Sequence, residues 1–131
     1  MFRLDKRKIF LLYQYYLLNF TLSNFEKNES EKEKNRADWF DSCLKKEEFL
    51  EEKINKKLKV GWEFSQLPPL EKSILIYSTY ELIFGKNLNL DKMIIDQTIN
   101  FSKVYLEEEK FKYINKILDL MVKEKLSFSN V

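Results

Sequence analysis

Arg3, Lys6, Arg7 and Lys8 crowd the start of this chain, and their first suggestion is electrostatic rather than catalytic. Lys and Arg in such a cluster neutralise phosphates along a nucleic-acid backbone. Taken alone, an arm of this kind is more often a solvated terminus. The usual catalytic sets are missing. There is no His and a single Cys, Cys43, which removes most zinc sites, Ser-His and Cys-His nucleophile pairs and any intramolecular disulfide, and fits a reducing, cytoplasmic setting. The two glycines, Gly61 and Gly85, stand too far apart for a loop whose backbone N–H groups converge on a phosphate. Glu81 lies in an apolar run with no His or second acid evident beside it, so it reads as a buried, hydrogen-bonded structural acid. No enzyme, metal or cofactor is expected.

The elements that must carry these residues are helices. Hydrophobic residues make up 44% of the 131 and charged residues 34%, with only two Gly and two Pro, a composition for long uninterrupted helices in one all-α unit. The stretch 67–85 is the organising one. Nearly every residue from Ser73 to Phe84 is apolar or aromatic, so this helix must be wrapped by others. Pro68 and Pro69 suit its entry, and Gly85 suits a left-handed residue just past its end.

Around it the pattern predicts further helices. Residues 1–22 read as a first helix, basic at its start, apolar from Ile9 to Leu18 but for Gln14, and buried in its middle, with Tyr13 assigned to the core. The layout superficially resembles a signal peptide, but Asp5, the three tyrosines and the lack of a small-residue cleavage site argue against that. It is also too short to span a membrane. Residues 23–37 read as a polar loop or poorly ordered helix, with Asp38 as a cap. From Trp39 to about Lys59, Phe40, Cys43, Leu44, Leu50, Ile54 and Leu58 make one amphipathic helix with a gap at Glu47. Trp62, Phe64 and Leu67 are expected to pin the connection onto the core. Asp91 is the expected cap of a fifth segment with a wide apolar face. The last helix follows Glu107 to Glu109 and turns Phe111, Ile114, Ile117, Leu118, Met121 and Val122 inward.

Four blocks in order then carry a resemblance: L-E-K-x-I-L at Leu70 to Leu75, Y-E-L at Tyr80 to Leu82, I-D-Q-x-I-x-x-x-K from Ile95 to Lys103, and Y-I-N-x-I-L-D from Tyr113 to Asp119. With L-Y-Q at Leu12 to Gln14 behind a basic start, the chain resembles the NusB family of bacterial transcription antitermination factors. That resemblance implies a NusB-like helical bundle of two packed subdomains around the central helix, here 1–60 and 61–131. It further implies binding of boxA-like single-stranded RNA of ribosomal RNA transcripts, together with NusE, a small-subunit ribosomal protein, in the transcription elongation complex. Carried over by position, Arg3, Lys6 and Arg7 form a basic RNA-binding arm, and Lys110, Lys112 and Tyr113 the matching stretch at the start of the last helix. Glu71 belongs to the face that meets NusE.

Several positions depart from the family. Ile76 stands where Arg is usual, Gln97 where Glu is usual, Lys116 in place of a Gly, and Lys8 where a small residue is common. They motivate an alternative, a helical protein-interaction module that keeps the fold without RNA recognition. A similar domain also resembles the N-terminal part of some RNA methyltransferases, but these 131 residues contain no cofactor-binding segment.

Overall fold

The computed structural model describes residues 1–18, 31–87 and 89–129. They form α1 (Lys6–Leu18), α2 (Glu31–Lys45), α3 (Glu47–Asn55), a short 3-10 turn at Phe64–Gln66, α4 (Pro69–Ile83), α5 (Asp91–Tyr105) and α6 (Glu108–Ser129), with no strand among the described residues. None of these helices is long and apolar enough to cross a membrane.

α4 is the axis. Ser73 through Thr79 are all buried, seven consecutive residues, so every side of the helix is covered. Its hydroxyls cost little there because Ser73 and Ser78 donate to the carbonyls of Leu70 and Ile74, both at 2.7 Å. α1 runs antiparallel to it. At the start of α1 the Asp5 N–H donates to Tyr77 Oη at 3.0 Å, while near its end the Tyr16 ring lies 5.5 Å from Lys72 Nζ. α5 and α6 pair antiparallel on another side, joined at their far ends by Lys125 and Asp91 at 3.1 Å. Core residues from all six helices form one buried cluster.

Several local expectations change. Residues 31–37 are helical, and Asp38 lies inside α2 rather than capping it; residues 23–30 lie outside the described residues. The helix expected from Trp39 to Lys59 is two, broken at Lys46. Phe40, Cys43, Leu50 and Ile54 are all fully buried, so the apolar stripe continues across the break and conceals it. Asp91 is the first residue of α5 and its carboxylate goes to Lys125; Leu90 is the capping position. Tyr13 is half-buried, not core.

Gly85 does not adopt a left-handed conformation; among the described residues only Gly61 (φ 88°) and Asn89 (φ 64°) do. Gly85 is required for space. A Cβ there would sit 2.5 Å from both the Glu81 carbonyl oxygen and Asn87 Nδ2. Beside it Glu81 is 8% exposed and accepts hydrogen bonds from Trp39 Nε1 and Asn87 Nδ2, each at 3.1 Å, the satisfied buried acid that its apolar surroundings imply. Burial pushes the Cys43 thiol well above its ordinary value, so it is an inert part of the core.

Candidate nucleic-acid interface

A cleft of about 860 Å³ opens between the start of α6 and the connection from α3 to α4. Lys110, Lys112 and Tyr113 line one wall, and Lys59 and Trp62 stand on the connection. Leu67, Leu75 and Ile114 give it an apolar floor. The walls come together because Tyr113 is a tie: its hydroxyl accepts the backbone N–H of Lys59 at 2.8 Å, and its ring meets Trp62 at 5.8 Å between centroids, 65° apart. The Lys59 ammonium sits 5.5 Å from the same ring. Tyr113 is therefore half-buried and engaged on several sides.

Glu71 also lines this cleft, one turn into α4, and is only 9% exposed. Its Oε1 has no hydrogen-bond donor and lies 3.4 Å from Lys110 Nζ. Lys110, Lys112 and Tyr113, expected at RNA, thus share one concavity with Glu71, expected at the partner.

The N-terminal arm is elsewhere. Arg3, Lys6 and Arg7 are exposed, but none lines the cleft. Gln97 of α5 fastens the segment by accepting the Leu4 N–H at 2.7 Å and donating to the Phe2 carbonyl at 3.0 Å, which leaves Arg3 between two held residues. Arg7 pairs with Glu33 at 3.2 Å. Asp5 pairs with Arg36 at 2.8 Å. The arm is anchored at Tyr77, about 9 Å along α4 from Glu71 at 1.5 Å per residue. The two basic stretches are separate patches.

The departures from the family pattern sort by position. Ile76 is fully buried, and Gln97 ties down the arm through a donor and an acceptor where Glu could supply only acceptors. Lys8 sits over the Trp39 ring at 5.0 Å. Lys116 is exposed on the cleft and adds a cation to it. Two cleft residues escape a sequence reading. Trp62, expected on the core with Phe64 and Leu67, is 52% exposed whereas those two are buried. By sequence Lys59 is one lysine among many, and only the fold sets it against Tyr113. Among the described residues no three His, Cys, Asp or Glu side chains converge to hold a metal ion.

Known proteins share this framework. A solved structure of T. maritima NusB superposes with a TM-score of 0.73 over 94% of each chain at 22% identity, so the fold is the same. The transcription antitermination protein NusB of Methylacidiphilum infernorum is 34% identical over 86 residues, which are 66% of this chain and 59% of that protein. That of Carboxydothermus hydrogenoformans is 35% identical over 75 residues, 57% of this chain and 51% of its own length. The chain thus matches about half the length of these relatives. The NusB family as a whole matches residues 7–123, from the first turn of α1 to deep in α6, and so takes in every helix and the cleft. The chain belongs to the NusB family.

Proposed function

We propose that this chain binds boxA-like single-stranded RNA of ribosomal RNA transcripts together with NusE, as a transcription antitermination factor of the elongation complex. The observation that carries the reading is the cleft, where Lys59, Lys110, Lys112 and Lys116 outnumber the acids Glu63, Glu71 and Glu109 around two aromatic side chains over an apolar floor. Single-stranded RNA is held by cations along its phosphates and by flat side chains against splayed bases. Arg3, Lys6 and Arg7 form a second basic patch for a strand that extends past the cleft. The departures support this reading over a module that has lost RNA recognition, because Ile76 and Gln97 serve packing and Lys116 adds charge on the cleft. The resemblance gives Glu71 to NusE, and its place inside the cleft brings partner and RNA close together.

Titration of labelled boxA-like RNA, with and without NusE at two salt concentrations, tests the proposal. Affinity should fall with salt with a slope of about 0.7 per phosphate neutralised. NusE should tighten the complex. Binding confined to duplex, or NusE binding with no RNA binding at any salt, would sink the proposal and leave the interaction module.

A further inference from the structure

We propose that Trp62 is the stacking platform for one nucleobase of the bound strand, with Lys59 and Lys116 serving its phosphates and Tyr113 positioning the platform. This rests on the RNA-binding reading and names a base seat within it.

The chain has two tryptophans, used in opposite ways. Trp39 is half-buried and engaged on its faces: its indole N–H is given to Glu81, Tyr77 and Tyr80 pack on it, and Lys8 sits over the ring. Trp62 leaves 52% of its surface open in the mouth of the cleft. An indole left open beside a cleft offers a large flat apolar face for a ligand to cover.

The platform is held in place before anything binds. Gly61, with φ at 88° and open space around its Cβ position, supplies a left-handed turn that another residue would adopt only with strain. The Trp62 N–H closes that turn onto the Lys59 carbonyl at 3.0 Å, and the Lys59 N–H goes to Tyr113. Lys59 is thus fastened through both of its backbone groups, and Tyr113 braces the indole. Little ordering remains to oppose binding, the circumstance in which a stacking contact contributes most of its strength.

Charge selects the occupant. Among the described residues neither Lys59 nor Lys116 has a carboxylate within ion-pair distance. Lys112 is held only by Glu108 in a pair exposed on both sides, which is easily exchanged for a phosphate. An aromatic plate among available cations fits a nucleotide, whose base stacks while its phosphate is neutralised. Stacking is tolerant of base identity, so this seat contributes affinity rather than sequence preference.

The test is an intrinsic-fluorescence titration of the full chain with twelve-nucleotide oligo(rU) and oligo(rA), about the length of strand that a single binding fold covers. Both should quench emission in the wild type. W62F, which keeps a flat ring and leaves Trp39 as the sole indole, should bind RNA without quenching. W62A should bind about 5- to 150-fold more weakly, the range that loss of one stacked base supports, with an unchanged far-UV spectrum because the side chain is exposed. Y113F should reduce the quenching amplitude while leaving the salt slope as it was, which separates positioning from charge. If RNA binds with its salt dependence but neither Trp62 emission nor W62A affinity responds, the base seat is wrong and the RNA-binding reading survives. Quenching by NusE alone, with no RNA effect, assigns Trp62 to a protein contact and also overturns it. No RNA binding by the wild type at any salt removes both.

Discussion

The side chain of Gln97 and the backbone N–H of Leu4 meet at 2.7 Å across 93 positions of sequence, and the same amide donates to the carbonyl of Phe2. One side chain thereby ties the N-terminal segment to α5, and it needs both an acceptor and a donor to do so. Q97E keeps the acceptor and sets a carboxylate against the Phe2 carbonyl. The expected cost is about 1–3 kcal/mol, that of a polar group left without its partner. Amide exchange at Leu4 should quicken by about 5- to 150-fold, the equivalent of that cost, and the contribution of Arg3 to RNA binding should fall with it. Unchanged exchange at Leu4 would show that something else orders the segment.

Glu71 brings a negative charge into a cleft read as binding RNA, and its Oε1 has only Lys110, at 3.4 Å, for company. E71Q removes that charge and releases Lys110, whose side chain is 46% exposed. Stability should change by less than about 1 kcal/mol, because a pair with one exposed partner contributes little. RNA affinity should rise, and its salt slope should steepen by about 0.7 as one more phosphate is neutralised. If Glu71 also meets NusE, the same variant weakens that complex. Parallel titrations with RNA and with NusE separate the two effects.

The central helix was legible because continuous apolar character has only one soluble solution, burial on all sides, and Ser73 to Thr79 meet it. The inward faces of α5 and α6 followed from periodicity, except that Tyr105, at the end of the expected stripe of α5, is 50% exposed. The break at Lys46 was not legible. The buried positions Cys43 and Leu50 stay in phase across it, so the pattern that marks a helix continued where the helix did not. The cleft was half legible: Lys110, Lys112 and Tyr113 came with the family resemblance, whereas Lys59 and Trp62 join them through the tie to Tyr113, a contact spanning 54 positions that no local pattern encodes. Gly85 serves through its missing Cβ and not through the left-handed φ that its place after the helix suggests. Composition shows that a glycine is needed, but only the neighbouring atoms show whether for its φ or for its missing Cβ.

That distinction gives G85A a definite outcome. Its backbone is ordinary, so no left-handed strain arises, but the new methyl would lie 2.5 Å from the Glu81 carbonyl oxygen. Backbone at the end of a packed helix yields little, and overpacking of this kind costs about 1–3 kcal/mol. Urea denaturation should show the loss. W39F should cost a comparable amount through a different route, by taking one of two donors from the buried Glu81 carboxylate. Because both changes act on Glu81, the double variant should be less destabilised than the sum.

High pH should unfold the protein through its tyrosines. Burial and the hydrogen bond to Glu47 push the Tyr16 hydroxyl far above its ordinary value of 10.0, burial pushes Tyr77 up as well, and Cys43 rises from 9.0. Each group stays protonated when folded and loses its proton when unfolded, so the unfolded chain binds fewer protons as pH passes 9 to 10. Stability is then complete below that range and falls above it, by about 1.4 kcal/mol per pH unit for each such group. Glu47, Glu51 and Lys72 all face Tyr16, and the acids prevail because the hydroxyl donates to Glu47 Oε2 at 2.7 Å. Y16F removes both the hydrogen bond and the titration. At pH 8 it should be less stable than the wild type by about 0.5–1.5 kcal/mol. The gap should narrow and then reverse as pH rises through 10 to 11, since the wild type alone goes on losing stability at Tyr16. Urea midpoints for the two proteins from pH 8 to 11 would show the crossing; parallel curves would mean that Tyr16 ionises equally in both states.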